Sequence, residues 1–231
     1  SSGKASILGM DPLKNKWQLR QHIGYMPQSP ALYDDLSARN NILFFGKGQV
    51  VTDLKKKTEE IIEFAELTSR ADDAVGTFSG GMKKRVSLCC ALVHEPKILF
   101  LDEPTAAVDP HLKLQSWILF RKLTQSGVTI FISTHLMDEA ILCDMVTILR
   151  NGEILAVDTP QRILEGGKTK VKIISGGDQK VSVIQSDPAS LANELKKSGL
   201  DKSITSVEIF PENIEDIILS IVSGKAKEEK V

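Results

Sequence analysis

Short apolar runs and amphipathic stretches alternate along this chain. Residues 98–101, Ile-Leu-Phe-Leu, are apolar without alternation, which predicts a strand buried on both faces of a parallel sheet. A second apolar strand is expected at 128–133, after a helix over 111–124 that Gly127 ends. Upstream, Ser37 is placed to N-cap a helix running to residue 45. Asp53 is placed to cap another that carries Ile61, Ile62, Ala65 and Leu67 on one side. A helix over about 82–93 stops at Pro96. Residues 5–8 read as a short strand, 9–12 as a turn, 25–30 as a loop with two prolines, and 72–78 as a further loop. After the second apolar strand come a helix at 137–143, a strand at 145–149, a turn at Asn151-Gly152 and a strand at 154–157. Strands interleaved with helices in this way predict an α/β sheet with helices layered on both faces.

The pattern changes after Gly166-Gly167. Val171 and Ile173 alternate with lysines, Gly176-Gly177-Asp178 turns the chain, and Val181 and Val183 alternate again, which is a hairpin. Asp187-Pro188 opens a helix through Leu191 and Leu195 that Gly199 closes. A strand at 204–210 and a helix with Ile214, Ile217, Ile218 and Ile221 complete a ββαβα unit. The expected domains are therefore 1–167, with a helical subdomain at about 32–95, and a small α+β extension at 168–231. The charged tail 225–230 reads as frayed.

Composition narrows the function classes. Among 231 residues, 29 Lys+Arg face 30 Asp+Glu, a formal charge of −1, so the basic excess of a dedicated nucleic-acid binder is absent. The longest stretch free of Asp, Glu, Lys and Arg is 123–137, broken by Thr, Gln, Ser, Gly and His. A membrane span needs about 20 predominantly apolar residues, so none is expected. Cys89, Cys90 and Cys143 have no CxxC spacing; they read as core residues of a protein kept in a reducing compartment.

Candidate chemistry begins at Phe78-Ser79-Gly80-Gly81-Met82-Lys83-Lys84-Arg85. A Ser and two glycines opening a helix present a hydroxyl and bare N–H groups at the positive end of the helix dipole, which suits phosphate. The strand at 98–101 ends in Asp102-Glu103-Pro104, placing two acids in the crevice where α/β sheets bind ligands. The first acid suits Mg²⁺, and the second can orient or deprotonate a water aimed at a γ-phosphate. His135 ends the next strand and would stand beside Glu103 if the two strands are neighbours.

Taken together and in order, these segments resemble the nucleotide-binding domain of ATP-binding cassette (ABC) transporters over residues 1–168. Tyr25-Met26-Pro27-Gln28 is similar to its Q-loop, Ser79-Gly80-Gly81-Met82 to its LSGGQ signature, and residues 98–103 to Walker B. Ala106-Ala107-Val108-Asp109-Pro110 resembles its D-loop and Ser133-Thr134-His135 its H-loop. Met82-Lys83, Met137-Asp138-Glu139-Ala140 and Leu142-Cys143-Asp144 look most like the exporter branch of drug-resistance and A-subfamily ATPases.

The resemblance implies a P-loop-NTPase-type fold and an ATPase that binds ATP and Mg²⁺. It implies Glu103 and His135 as catalytic residues, and Gln28, Ser79, Gly80, Gly81 and Asp109 as nucleotide contacts. Asp102 and Gln28 would hold the metal. The implied partners are a second ATPase domain and a membrane-spanning permease subunit, at the cytoplasmic face of the cell membrane, with no nucleic acid. Phe78 stands for Leu and Met82 for Gln in the signature, and Ala106-Ala107 stand for Ser-Gly in the D-loop. No G-x-x-x-x-G-K-[ST] pattern occurs, because Ala follows Ser2-Gly3-Lys4. The natural chain is therefore expected to start upstream, and these 231 residues alone are expected to be inactive. Two other functions fit the same motifs: a soluble ABC ATPase of DNA repair or translation, and a non-catalytic regulatory fragment.

Overall fold

The computed structural model describes residues 3–199 and 203–223, so Ser1-Ser2 and the charged tail lie outside the described residues. It divides into two compact units, one ending at His135 and the other starting at Leu136.

In the first unit, a parallel sheet is built in the order β1 (Ile23–Met26), β2 (Ile98–Asp102), β3 (Thr129–Ser133). The register pairs Met26 with Leu101, Leu101 with Ile132, and Asp102 with Ser133. Central β2 has no polar position before Asp102, and Leu99 and Leu101 are fully buried, as the unbroken apolar run predicts. β3 differs from its expectation. It lies at the edge of the three strands, alternates exposed and half-buried positions, and leaves Phe131 55% exposed while stacked on Phe100. Residues 5–8 do not form a strand; only an isolated bridge joins Ile7 to Met10 around Gly9. The prolines at 27 and 30 begin a loop, but Tyr25 and Met26 belong to β1. A short helix, α1 (Lys16–Arg20), escaped the sequence reading because five residues are too few to show a period.

Three helices enclose one apolar cluster of the unit: α2 (Ala38–Lys47), α3 (Leu54–Phe64) and α4 (Gly80–Leu92). Ser37 and Asp53 cap the first two as expected, accepting from the N–H of Asn40 and of Lys56. Ile42, Ile62, Val75, Phe78, Val86, Cys89 and Val93 meet in one apolar cluster between these helices. Cys89 is fully buried there, and burial pushes its thiol up to about 12, so it stays protonated; Cys90 and Cys143 are only partly buried. α5 (Pro110–Gln125) follows β2, with Asp109 as N-cap and Pro110 in its first turn.

The second unit starts with a 3₁₀ turn at Met137–Leu142 where an α-helix was expected. An antiparallel pair, β4 (Val146–Arg150) and β5 (Glu153–Asp158), turns on Asn151-Gly152, both at positive φ. Then come α6 (Pro160–Glu165), β6 (Lys168–Ser175), β7 (Asp178–Gln185), α7 (Pro188–Lys197), β8 (Ile204–Pro211) and α8 (Ile214–Ser223). The last five elements have the expected ββαβα order, with β6 central in the sheet β7-β6-β8. Gly176 and Gly177 turn the hairpin at φ 58° and 93°.

The core of this unit crosses the expected 167/168 boundary. Ile148 of β4 and Ile163 of α6 are buried against Ile214, Ile217 and Ile218 of α8. That shared burial is why the compact units divide after His135 instead.

Candidate active site

Parallel strands end on the same side, so β1, β2 and β3 deliver Gln28, Asp102-Glu103 and Ser133-Thr134-His135 to one edge of the sheet. The register carries the geometry further. Asp102 lies directly opposite Ser133, whose Oγ donates to Asp102 Oδ1 at 2.6 Å. One residue on, the Glu103 N–H donates to the Ser133 carbonyl at 2.9 Å, which continues the ladder past β2.

Glu103 then turns the chain at φ 47°, a left-handed conformation uncommon for a residue with a side chain. This bend keeps the carboxyl beside the end of β3. Oε1 accepts from both the backbone N–H of His135, at 3.0 Å, and its ring Nδ1, at 2.7 Å. A carboxylate only accepts, so the proton of the neutral imidazole sits on Nδ1 and Nε2 is left as an acceptor. The Thr134 hydroxyl approaches Oε2 at a longer 3.4 Å. Glu103 is 14% exposed while His135 is 70% exposed. One carboxylate oxygen is thus held in place, and the other keeps accepting capacity.

Gln28 is exposed on the loop leaving β1, at the same sheet edge. Ser79, Gly80 and Gly81 occupy a different place, the N-terminus of α4, where Ser79 accepts from the Met82 N–H at 3.3 Å. The two glycines differ. A Cβ on Gly80 would meet nothing within 4 Å, whereas one on Gly81 would meet Leu112 Cδ1 at 2.9 Å and Val108 Cγ1 at 3.2 Å. Gly80 therefore leaves the helix mouth bare, and Gly81 lets α4 approach the start of α5. Asp109 caps α5 by accepting from the Leu112 N–H at 3.0 Å.

Two features were missed in the sequence. The Ser133–Asp102 pair follows from strand register, which a single sequence does not show. The second is Lys84, whose ammonium donates to the carbonyls of Glu103 and Ala106; nothing in its spacing marks it out.

Asp102, Glu103, Ser133 and Gln28 offer hard oxygen donors, the class that Mg²⁺ accepts while keeping water and phosphate oxygens. Among the described residues no cluster of three or more His, Cys, Asp or Glu side chains could hold a metal by itself.

Comparison with known proteins converges on the same family. The family model described as "ABC transporter" matches residues 1–106. A Nod factor export ATP-binding protein I of Burkholderia lata is 34% identical over 212 residues, covering 90% of this chain and 67% of that protein. The chain belongs to the ATP-binding proteins of ABC transporters. Other relatives in the ABC family include a probable multidrug ABC transporter ATP-binding protein, YbhF, of Escherichia coli K12. It is 37% identical over 165 residues, 69% of this chain and 28% of that one. The linearmycin resistance ATP-binding protein LnrL of Bacillus subtilis 168 is 36% identical over 177 residues, 74% and 57% respectively. The chain thus spans between about a quarter and just over half of these two. Among solved structures, cbiO1 from Clostridium perfringens, part of the ABC transporter complex cbiONQ, matches with a TM-score of 0.64. It is 28% identical and covers 71% of this chain and 68% of that one. An ATP-binding subunit of an ABC transporter matches with a TM-score of 0.61 at 26% identity, covering 70% and 69%. The α/β ATPase fold of these ABC subunits is the fold described above.

Proposed function

We propose that this chain hydrolyses ATP as part of an exporter-type ABC transporter, using Glu103 as the general base. The observation that carries this reading is the Glu103 carboxyl held through one oxygen by His135 at the end of two paired parallel strands. In that role Glu103 Oε2 accepts a hydrogen bond from the attacking water and takes its proton as the water approaches the γ-phosphorus. His135 keeps the carboxyl in line through its backbone N–H and ring Nδ1. Asp102, oriented by Ser133, and Gln28 would hold Mg²⁺ directly or through water. When bound, the ion neutralises charge on the β- and γ-phosphates.

Ser79, Gly80 and Gly81 are read as contacts to a nucleotide held mainly by a second ATPase domain, with Asp109 near the same junction. The exposed helix mouth at Gly80 supports this, since an anion can approach the N–H groups without a side chain between. An isolated helix N-terminus carries only about half an elementary charge, so these 231 residues by themselves should hold Mg-ATP no tighter than about millimolar.

The motor is proposed to drive a membrane-spanning permease subunit from the cytoplasmic face. No helix of the described residues is long and apolar enough to cross a membrane. A cavity of about 670 Å³ lined by Trp17, Tyr25, Leu32, Phe45 and Val50 lies beside the Gln28 loop and supports docking there. Phe44, 48% exposed, packs edge-on against Tyr33.

The test is assembly. In a chain carrying a P-loop ahead of Ser1, Glu103→Gln should accumulate as an ATP-bound dimer on size-exclusion chromatography with Mg-ATP. A variant that stays monomeric under saturating nucleotide contradicts the proposal.

A further inference from the structure

Lys84 lies in the second turn of α4, five residues beyond Ser79. Its Nζ donates to two backbone carbonyls of another segment, those of Glu103 and Ala106, each at 2.6 Å. Strained residues bracket those carbonyls: Glu103 has φ 47° and Ala107, just past Ala106, φ 57°, and neither is glycine. Such conformations persist only where the surroundings over-determine them. An ammonium carries three donors and a full charge, so its bonds to two carbonyls of one turn are strong enough to do that. Gly81, without a Cβ, lets the same helix approach Val108 and Leu112, which follow that turn in the chain. Lys84 therefore ties the turn to α4 through two of its carbonyls, one turn of helix away from Ser79 and Gly80.

We propose that Lys84 is a positioning residue of the ATP site. By clamping the turn from Glu103 to Ala107, it keeps the Glu103 carboxyl on His135. It also ties the helix that opens with Ser79-Gly80-Gly81 to the residue that activates water. A change at the mouth of α4 is thereby transmitted to Glu103 through one side chain. This inference rests on reading Glu103 as the base, but its test needs no ATP turnover and so fails or succeeds separately from that reading.

The experiment is nitrogen NMR and amide hydrogen exchange on the 231-residue chain, comparing Lys84→Met, Lys84→Gln and Lys84→Arg with the parent. The ring Nδ1 resonance of His135 reports its bond to Glu103, and Glu103→Gln supplies the reference position for its weakening. Lys84→Met and Lys84→Gln should move that resonance toward the Glu103→Gln position. They should also speed exchange of the Glu103 and His135 amides at least tenfold, while amides of α4 keep their protection. Lys84→Arg, which can still donate to both carbonyls, should restore the parent resonance and exchange rates. An unmoved His135 resonance in Lys84→Gln, with α4 still protected, would overturn the proposal, and so would a Lys84→Arg chain indistinguishable from Lys84→Met.

Discussion

His135 gives two hydrogen bonds to a single oxygen of Glu103, one from its backbone N–H at 3.0 Å and one from ring Nδ1 at 2.7 Å. The backbone bond survives any side-chain change, so removing the ring tests only half of the restraint. A hydrogen bond to a charged group contributes about 1.5–3 kcal/mol. In a chain carrying a P-loop, His135→Ala should therefore lower kcat by about ten- to a hundredfold with little change in KM. Steady-state ATPase assays check this; a rise in KM at unchanged kcat would assign His135 to substrate binding alone.

The two glycines of the α4 mouth should separate packing from anion contact. Gly81→Ala pushes a methyl into Leu112 and Val108 and should destabilise the fold by about 1–3 kcal/mol in urea denaturation. Gly80→Ala has open space and should leave stability unchanged or slightly raised. If the helix mouth faces a partner's nucleotide, Gly80→Ala should still impair ATP-dependent pairing. Equal stability losses at the two positions would contradict this division.

His94 provides a pH dependence of predictable sign. Its Nε2 bonds the Ile23 carbonyl at 3.0 Å, and its buried Nδ1 has no hydrogen-bond partner among the described residues. Burial lowers its pKa below the ordinary 6.5, the Ile23 carbonyl opposes that shift, and nearby His22 adds to it. The folded state thus favours neutral His94, while the unfolded chain takes up a proton below about pH 6.5. The stability that neutral His94 contributes is complete above pH 6.5 and is lost as pH falls below it. Urea midpoints from pH 7.5 to 5 should drop more for the parent than for His94→Gln; parallel curves would contradict the assignment.

How much of this was legible in the sequence depended on how local each signal is. The caps at Ser37 and Asp53 were legible because each needs only residues three positions apart. The buried β2 was legible because a strand covered on both faces has no polar position to confuse it. β3 is likewise apolar at its centre, Ile130-Phe131-Ile132, but sits at the edge of its sheet, and exposure is set by neighbours that composition does not name. The carboxylates and His135 could be picked out as candidates, yet their meeting depends on strand register across 32 residues. Lys84 was invisible for a stronger reason. A lysine on a helix face beside Lys83 and Arg85 looks solvated until the turn that accepts its hydrogen bonds is in place.

Burial across the expected 167/168 boundary also makes a prediction. Ile217 is 3% exposed in the cluster with Ile148 and Ile163, whereas Leu219 of the same helix is 49% exposed. Ile217→Ala should cost about 2–5 kcal/mol, and Leu219→Ala well under that. Ending the chain at Gly167 should uncover Ile148 and Ile163 and lead to aggregation. A well-folded, monomeric truncation would show that α8 is dispensable for that core.

The proposed chemistry stands most directly on the rate of ATP hydrolysis by Glu103→Gln in a chain carrying a P-loop, measured at saturating Mg-ATP. Gln keeps the shape and can still accept from His135, but it cannot take a proton. Turnover should fall by about 10²–10⁴-fold while ATP affinity stays within a few-fold of the parent. Turnover within a few-fold of the parent would mean that Glu103 is not the base.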